Sequence, residues 1–88
     1  MIWGHIESVN KAPTRSPLIQ VNTFLPGGIV IRVRAYIGPQ TLITRGTEPV
    51  DVLSLREGEF VEVSYRYGRE GRLNADSISV RSEQTIVG

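Results

Sequence analysis

The chain has 88 residues, which is enough for one domain with a small hydrophobic core. It contains no cysteine, so it forms neither a disulfide nor a thiolate metal site. A net charge of +1 and a sequence pI near 8.2 exclude a strongly basic nucleic-acid module. No apolar run approaches the roughly 20 residues of a membrane span, and no charged segment followed by an apolar core opens the chain. We therefore expect no membrane span, no signal peptide and, for a complete chain, a cytoplasmic location.

The first quarter of the chain predicts two strands joined by a loop. Residues 1–9 alternate between apolar and polar side chains, and Gly4 suits a bulge or a sharp bend in this strand. Residues 10–17 contain two prolines, an asparagine and a serine, which is typical of a loop. Residues 18–25 predict the second strand. A Pro-Gly-Gly turn follows it.

The clearest strand covers residues 29–37, where the period of two holds over the whole segment. The side chains predicted to face the core are Ile29, Ile31, Val33, Ala35 and Ile37. The opposite face carries Val30, Arg32, Arg34 and Tyr36. Gly38 and Pro39 end or bend the strand, and residues 41–44 predict a brief continuation.

The connection that follows is irregular, and no long amphipathic helix fits it. Residues 51–55 are compatible with one helical turn that directs Val52 and Leu55 inward. Residues 57–59 then predict a turn.

The last third of the chain predicts a β-hairpin, because strands at residues 60–67 and 73–80 flank the glycine-containing turn 68–71. The predicted inward face of the first of these strands consists of Val61, Val63, Tyr65 and Tyr67. A shift of phase in the second predicts a bulge near Asp76 or Ser77. We expect residues 82–88 to form a flexible tail.

Five strands without a helix to cover them predict an all-β fold. A flat sheet would leave one face uncovered and two edges exposed, whereas closure into a barrel removes both problems. The sequence therefore predicts a single domain, residues 1–81, that forms a small five-stranded antiparallel barrel of the OB kind. An SH3-like barrel is the alternative.

Three short motifs carry a resemblance to a known type of domain. They are Ile2-x-Gly4-x-Ile6-x-x-Val9, Leu55-x-x-Gly58-Glu59-x-Val61-x-Val63 and Gly71-x-Leu73-x-Ala75-x-x-Ile78. The sequence resembles OB-fold domains in these motifs, and is similar to a family of small bacterial OB-like domains of unknown function. The resemblance implies the fold and no activity. The chain departs from the family between Leu18 and Tyr36, a segment longer than a compact hairpin.

No set of residues in the sequence predicts catalysis. His5 is the only histidine, and without cysteine a zinc site would depend mainly on carboxylates. A serine, His5 and an aspartate are all present, but the Gly-x-Ser-x-Gly motif of a nucleophile elbow is not. We therefore expect no enzyme, no metal and no cofactor.

One face combines basic and aromatic side chains. OB folds bind single strands with aromatic stacking and a cationic groove around their second and third strands. The candidate nucleic-acid-binding residues are Arg32, Arg34, Tyr36 and Arg66. The competing interpretation is structural, because Arg32 and Arg34 could instead pair with Glu62 across strands.

The sequence as a whole favours a non-catalytic binding or interaction module of unknown ligand. Val30, Leu25 and the loop 10–17 offer surface for a protein partner or for self-association. Binding of single-stranded nucleic acid to the basic face is the alternative function.

Overall fold

The structure is a computed structural model that describes residues 1–11, 17–68 and 71–81. The predicted tail, residues 82–88, lies outside the described residues, as do the middle of the loop 10–17 and residues 69–70 of the turn predicted at 68–71. The described residues form the strands β1 (Ile2–Asn10), β2 (Leu18–Leu25), β3 (Ile29–Arg45), β4 (Glu48–Pro49), β5 (Phe60–Tyr67) and β6 (Leu73–Arg81). A single 3₁₀ turn, Val52–Ser54, lies between β4 and β5. None of the helical structure in these described ranges is long and apolar enough to cross a membrane.

Five of the strands close into a ring. β1 pairs with β2 on one side and with β5 on the other, β5 pairs with β6, β6 with β3, and β3 with β2. The prediction of an all-β fold whose five strands close into a small barrel is confirmed. The two-residue β4 is an addition to the ring that pairs with the end of β3.

One pairing differs from the predicted antiparallel barrel. β3 and β6 run parallel, while the other four pairings of the ring are antiparallel. The reason is geometric. Strand directions cannot alternate all the way around a closed ring of five strands, so at least one neighbouring pair must run parallel.

The core lies inside the ring and follows the predicted alternation along most of its length. Its buried side chains are Ile6, Ile19, Val21, Ala35, Ile37, Ile43, Leu55, Val61, Val63, Ala75, Ile78 and Val80. The predicted helical turn is also confirmed. The carboxylate of Asp51 caps it by accepting a hydrogen bond from the backbone N–H of Leu53 at 3.1 Å, and Leu55 is buried directly after it.

Three irregularities bend the strands around the barrel. The register of β1 against β2 shifts at Glu7, so the bulge predicted at Gly4 lies a few residues further on. The register of β6 against β5 skips Asp76, which confirms the bulge predicted there. In β3, residues 38–41 leave the ladder with β6. Thr41 stabilises this bend, because its hydroxyl accepts from Gly38 N at 2.9 Å and donates to the carbonyl of Ala75 at 2.7 Å.

Some of the predicted core residues lie in solvent. Ile29 and Ile31 are exposed although Ala35 and Ile37 of the same face are buried, because β3 begins well beyond the barrel. Tyr67, predicted to face inward, is 73% exposed at the far end of β5. Alternation therefore identifies the inward face of a strand but not where along the strand the core ends.

Candidate interaction surface

The hairpin formed by β2 and β3 extends beyond the barrel. The pairing of β1 with β2 begins at His5 opposite Asn22, and the pairing of β6 with β3 begins at Asn74 opposite Tyr36. Within the ladders of the described chain, residues 23–25 and 29–31 therefore pair only with each other. We call residues 23–31 the arm. Its tip is the turn Pro26-Gly27-Gly28, where both glycines adopt the positive φ that the reversal requires.

The arm is apolar on both of its faces. Phe24 is 66% exposed and Ile29 56%. The other exposed apolar side chains of the arm are Leu25, Val30 and Ile31. Contiguous apolar surface of this kind is uncommon on a monomer and is typical of interaction sites.

Aromatic side chains continue this surface from the arm onto the barrel. The ring of Phe24 meets His5 edge-on at a centroid distance of 6.5 Å, and His5 lies 5.2 Å from Phe60. Phe60 in turn stacks on Trp3 at 5.6 Å, and the guanidinium carbon of Arg81 lies 5.6 Å from the centre of the Trp3 ring. We call Trp3, His5, Phe24 and Phe60 the aromatic cluster. It joins the arm to the outer face of β1 and β5.

At the base of the arm, Glu7 anchors two of the predicted arginines. Its carboxylate accepts hydrogen bonds from Gln20 and from Asn22 Nδ2, the latter at 3.1 Å, and pairs with Arg32 Nε at 3.2 Å. Arg34 joins the same network, because its Nε donates to Gln20 Oε1 at 3.0 Å. The Arg32 side chain remains 67% exposed. Both guanidinium groups therefore have partners and still reach solvent.

The pairing of Arg32 and Arg34 with Glu62 that the sequence suggested is wrong. Glu62 accepts from Arg81 at 3.1 Å instead. The reason is the strand order, since β3 neighbours β2 and β6 in the ring and not β5.

The hydrogen bonds to Glu7 also change its acidity. The donor Asn22 holds the pKa of this carboxyl below its ordinary value of 4.5. Gln20 and the nearby charges of Arg32 and Arg34 act in the same direction, while partial desolvation opposes them. Glu7 is thus an ionised anchor at neutral pH.

The other two predicted residues lie together at the opposite end of the same outer face. Tyr36 and Arg66 belong to one cross-strand row, with Asn74 of β6 between them. The guanidinium carbon of Arg72 lies 4.8 Å from the centre of the Tyr36 ring, and Arg66 Nε pairs with Asp76 at 2.8 Å. These side chains line a cleft of about 290 Å³ that opens where β3 bends away from β6.

The predicted site residues therefore form two groups on one face: Arg32 with Arg34, and Tyr36 with Arg66. The side chains that could bind a metal ion do not form a cluster in the described part of the chain. In residues 1–11, 17–68 and 71–81, no three histidine, aspartate or glutamate side chains are close enough to share an ion.

Sequence reasoning missed most of the arm and the stacking of Arg72 on Tyr36. It assigned Ile29 and Ile31 to the core and did not single out Phe24. The available signal was the length of the segment from Leu18 to Tyr36, because a hairpin longer than the barrel needs has to extend past it. The position of Arg72 had no such signal, since it depends on how β6 lies against β3.

Comparison of the chain with protein-family models, curated proteins and solved structures finds no match. We therefore infer the function from the arrangement of the surface itself.

Proposed function

We propose that the protein is a non-catalytic, OB-like interaction module that holds a protein partner on its arm. The observation that supports this best is the exposure of five apolar side chains on a two-stranded extension: Phe24, Leu25, Ile29, Val30 and Ile31. Covering apolar surface contributes about 25 cal/mol for each Å² removed from water. An arm with two apolar faces offers such surface to a partner that contacts it from either side.

The aromatic cluster supports the same function. Aromatic residues are enriched at the centres of protein interfaces, where rigid rings bury much area at low entropic cost. Phe24 is shared by the arm and the cluster. The proposed surface thus runs from the arm tip to Trp3, with Arg81 at its border.

A site-specific photocrosslinker tests this proposal. A photoreactive phenylalanine analogue at position 24 is expected to give a discrete adduct in cells that express the protein, whether with another protein or with a second copy. The matched control places the same analogue at Thr47, an exposed residue beyond the opposite end of β3. Adducts of equal yield at positions 24 and 47, or no adduct at position 24, would contradict the proposal.

A second function, single-stranded nucleic-acid binding, is favoured by the cleft at Tyr36. A base stacked on an aromatic ring contributes about 1–3 kcal/mol, and Arg66 and Arg72 supply positive charge beside Tyr36. Arg32 and Arg34 extend the positive charge along β3. Against this function stands the low net charge of the whole chain.

Fluorescence anisotropy with labelled oligonucleotides tests the second function. Binding at low salt should weaken steeply as salt is added, because counterion release drives it. The double variant Tyr36→Ala/Arg66→Ala should bind less tightly, while Arg56→Ala, an exposed arginine outside this face, should bind like wild type. Wild-type affinity in the double variant, or no binding by the wild-type protein, would remove this candidate.

A further inference from the structure

We infer that the outer edge of β3 binds an extended segment of the partner as an additional strand, and that this segment alternates acidic and apolar residues. The inference rests on the proposed function, because the edge forms one side of the arm. It adds the mode of binding and the chemistry of the partner.

The backbone of β3 offers an open edge. Ile37 N–H donates to the carbonyl of Pro17 at 2.8 Å, which fixes the alternation of hydrogen bonds along the β2–β3 ladder. Counting back from Ile37, the odd-numbered residues of β3 direct their N–H and C=O groups at β2. The backbone groups of Val30, Arg32 and Arg34 consequently face away from β2.

No described strand covers these groups. The parallel pairing with β6 begins only at Tyr36, and none of the residues in 1–11, 17–68 and 71–81 forms a ladder with the outer side of residues 29–35. An unpaired row of alternating donors and acceptors is a template for strand addition.

The side chains along the edge define what such a strand would carry. On one face it would lie beside Ile29, Ile31 and Val33, of which the first two are exposed. On the other face it would lie beside Arg32 and Arg34, with Val30 nearer the tip. Directly opposite side chains in a sheet favour apolar with apolar and acid with base. The complementary segment is therefore one in which apolar and acidic residues alternate.

A second copy of the chain fits this edge less well. Full antiparallel overlap of residues 29–35 with the same residues of another copy places Arg32 directly opposite Arg32. Like charges directly opposite each other are destabilising in a sheet. Charge complementarity therefore favours an acidic segment from another protein.

The test uses two short synthetic peptides, one alternating valine with glutamate and one alternating valine with lysine. The glutamate peptide is expected to bind and to slow hydrogen exchange at the backbone amides of Val30, Arg32 and Arg34. The lysine peptide is expected not to bind. Equal binding of the two peptides, or slowed exchange elsewhere only, would overturn the inference.

Two variants at one position separate backbone pairing from charge. Arg32→Pro removes an N–H that points away from β2, which an edge strand tolerates. Arg32→Ala removes the same charge and keeps the N–H. Arg32→Pro should bind the glutamate peptide about tenfold more weakly than Arg32→Ala, since one net hydrogen bond is worth up to about a factor of ten. Similar affinities in the two variants would overturn the inference.

If Arg32→Pro does not fold, Val30→Pro with Val30→Ala as its control provides the same comparison. A concentration-dependent dimer that Arg32→Pro abolishes would assign the edge to a second copy and overturn the inference. Failure of the peptides together with a discrete photoadduct at position 24 would overturn the inference alone and leave the proposed function standing.

Discussion

At the residue scale, Gly4 is a point of close approach between the backbone of β1 and strand β2. A Cβ atom at this position would lie 2.7 Å from Cγ1 of Val21 and 2.9 Å from the carbonyl carbon of Asn22, closer than real Cβ contacts allow. Gly4 lies where the strand passes from its pairing with β5 to its pairing with β2. The absence of a side chain therefore permits the corner on which barrel closure depends.

We predict that Gly4→Ala destabilises the fold by about 1–3 kcal/mol, because the new methyl group forces the two strands apart. Urea unfolding followed by tryptophan fluorescence measures the change. Gly38→Ala is the control, since a Cβ there meets no atom within 4 Å, and its unfolding midpoint should stay the same or rise slightly. Equal midpoints for the two variants would contradict the close approach.

The carboxylate of Glu7 gives the stability of the protein a dependence on pH. Because hydrogen bonding lowers the pKa of Glu7 in the folded state, ionised Glu7 stabilises the fold above its unfolded pKa. That contribution is lost as the pH falls through the lower, folded pKa. The relevant window therefore lies below the ordinary value of 4.5.

We predict that Glu7→Gln unfolds more easily than wild type at neutral pH, and that the difference shrinks as the pH is lowered below 4.5. Denaturant unfolding at a series of pH values provides the measurement. Glu48→Gln makes the same change of charge at an exposed site and should unfold almost as wild type does at neutral pH. A difference for Glu7→Gln that grows towards acid would refute the assignment.

At the scale of the element, the β2–β3 hairpin serves two environments. Its inner half contributes Ile19, Val21 and Ala35 to the core, and its outer half is the arm, whose apolar side chains are exposed. The same alternating pattern runs through both halves, since the hydrogen bonding of the ladder does not change where the barrel ends. What changes is the presence of β1 and β6 on either side.

Two isoleucines of the hairpin separate these environments. Ile19→Ala should destabilise the protein by about 2–5 kcal/mol, because Ile19 is fully buried and the substitution leaves a cavity. Ile29→Ala should change stability by less than about 0.5 kcal/mol, as is usual for exposed positions. Thermal and denaturant unfolding of the two variants provides the comparison. A large effect of Ile29→Ala would mean that the arm packs against the barrel.

At the scale of the whole molecule, the ring of strands needs a cover for its core. The connection between β4 and β5 supplies it, because the 3₁₀ turn at Val52–Ser54 delivers Leu55 into the core while Val52 packs against the edge of the core. The long dimension of the molecule, 44 Å, exceeds its other dimensions of 32 and 19 Å.

The two leucines of this connection test its role. Leu55→Ala should destabilise the fold by about 2–5 kcal/mol, since Leu55 is 1% exposed and belongs to the core cluster. Leu53→Ala, two residues earlier and 67% exposed, is the control and should have little effect. Denaturant unfolding distinguishes them, and a loss of stability confined to Leu53→Ala would contradict the packing of this turn.

The sequence by itself determined the five strands of the ring, the turns at residues 26–28 and 57–59, the bulge at Asp76 and the inward faces of β5 and β6 near Val61 and Ile78. These features depend on local backbone preferences and on the two-residue period of apolar and polar side chains. Both can be identified from consecutive residues. Closure also followed from the sequence, because no helical segment was available to cover a flat sheet. The outward direction of Arg32 and Arg34 was predictable for the same reason of alternation.

Only the tertiary structure decided where the core ends and which strands become neighbours. Ile31 and Ala35 have the same place in the alternation, yet one is exposed and the other buried, because burial depends on strands distant in the sequence. Arg32 pairs with Glu7, and not with Glu62 as the sequence suggested, for the same reason. The arm and its open edge therefore depend on where β1 and β6 stop pairing with the β2–β3 hairpin. A pattern of consecutive residues does not indicate that position.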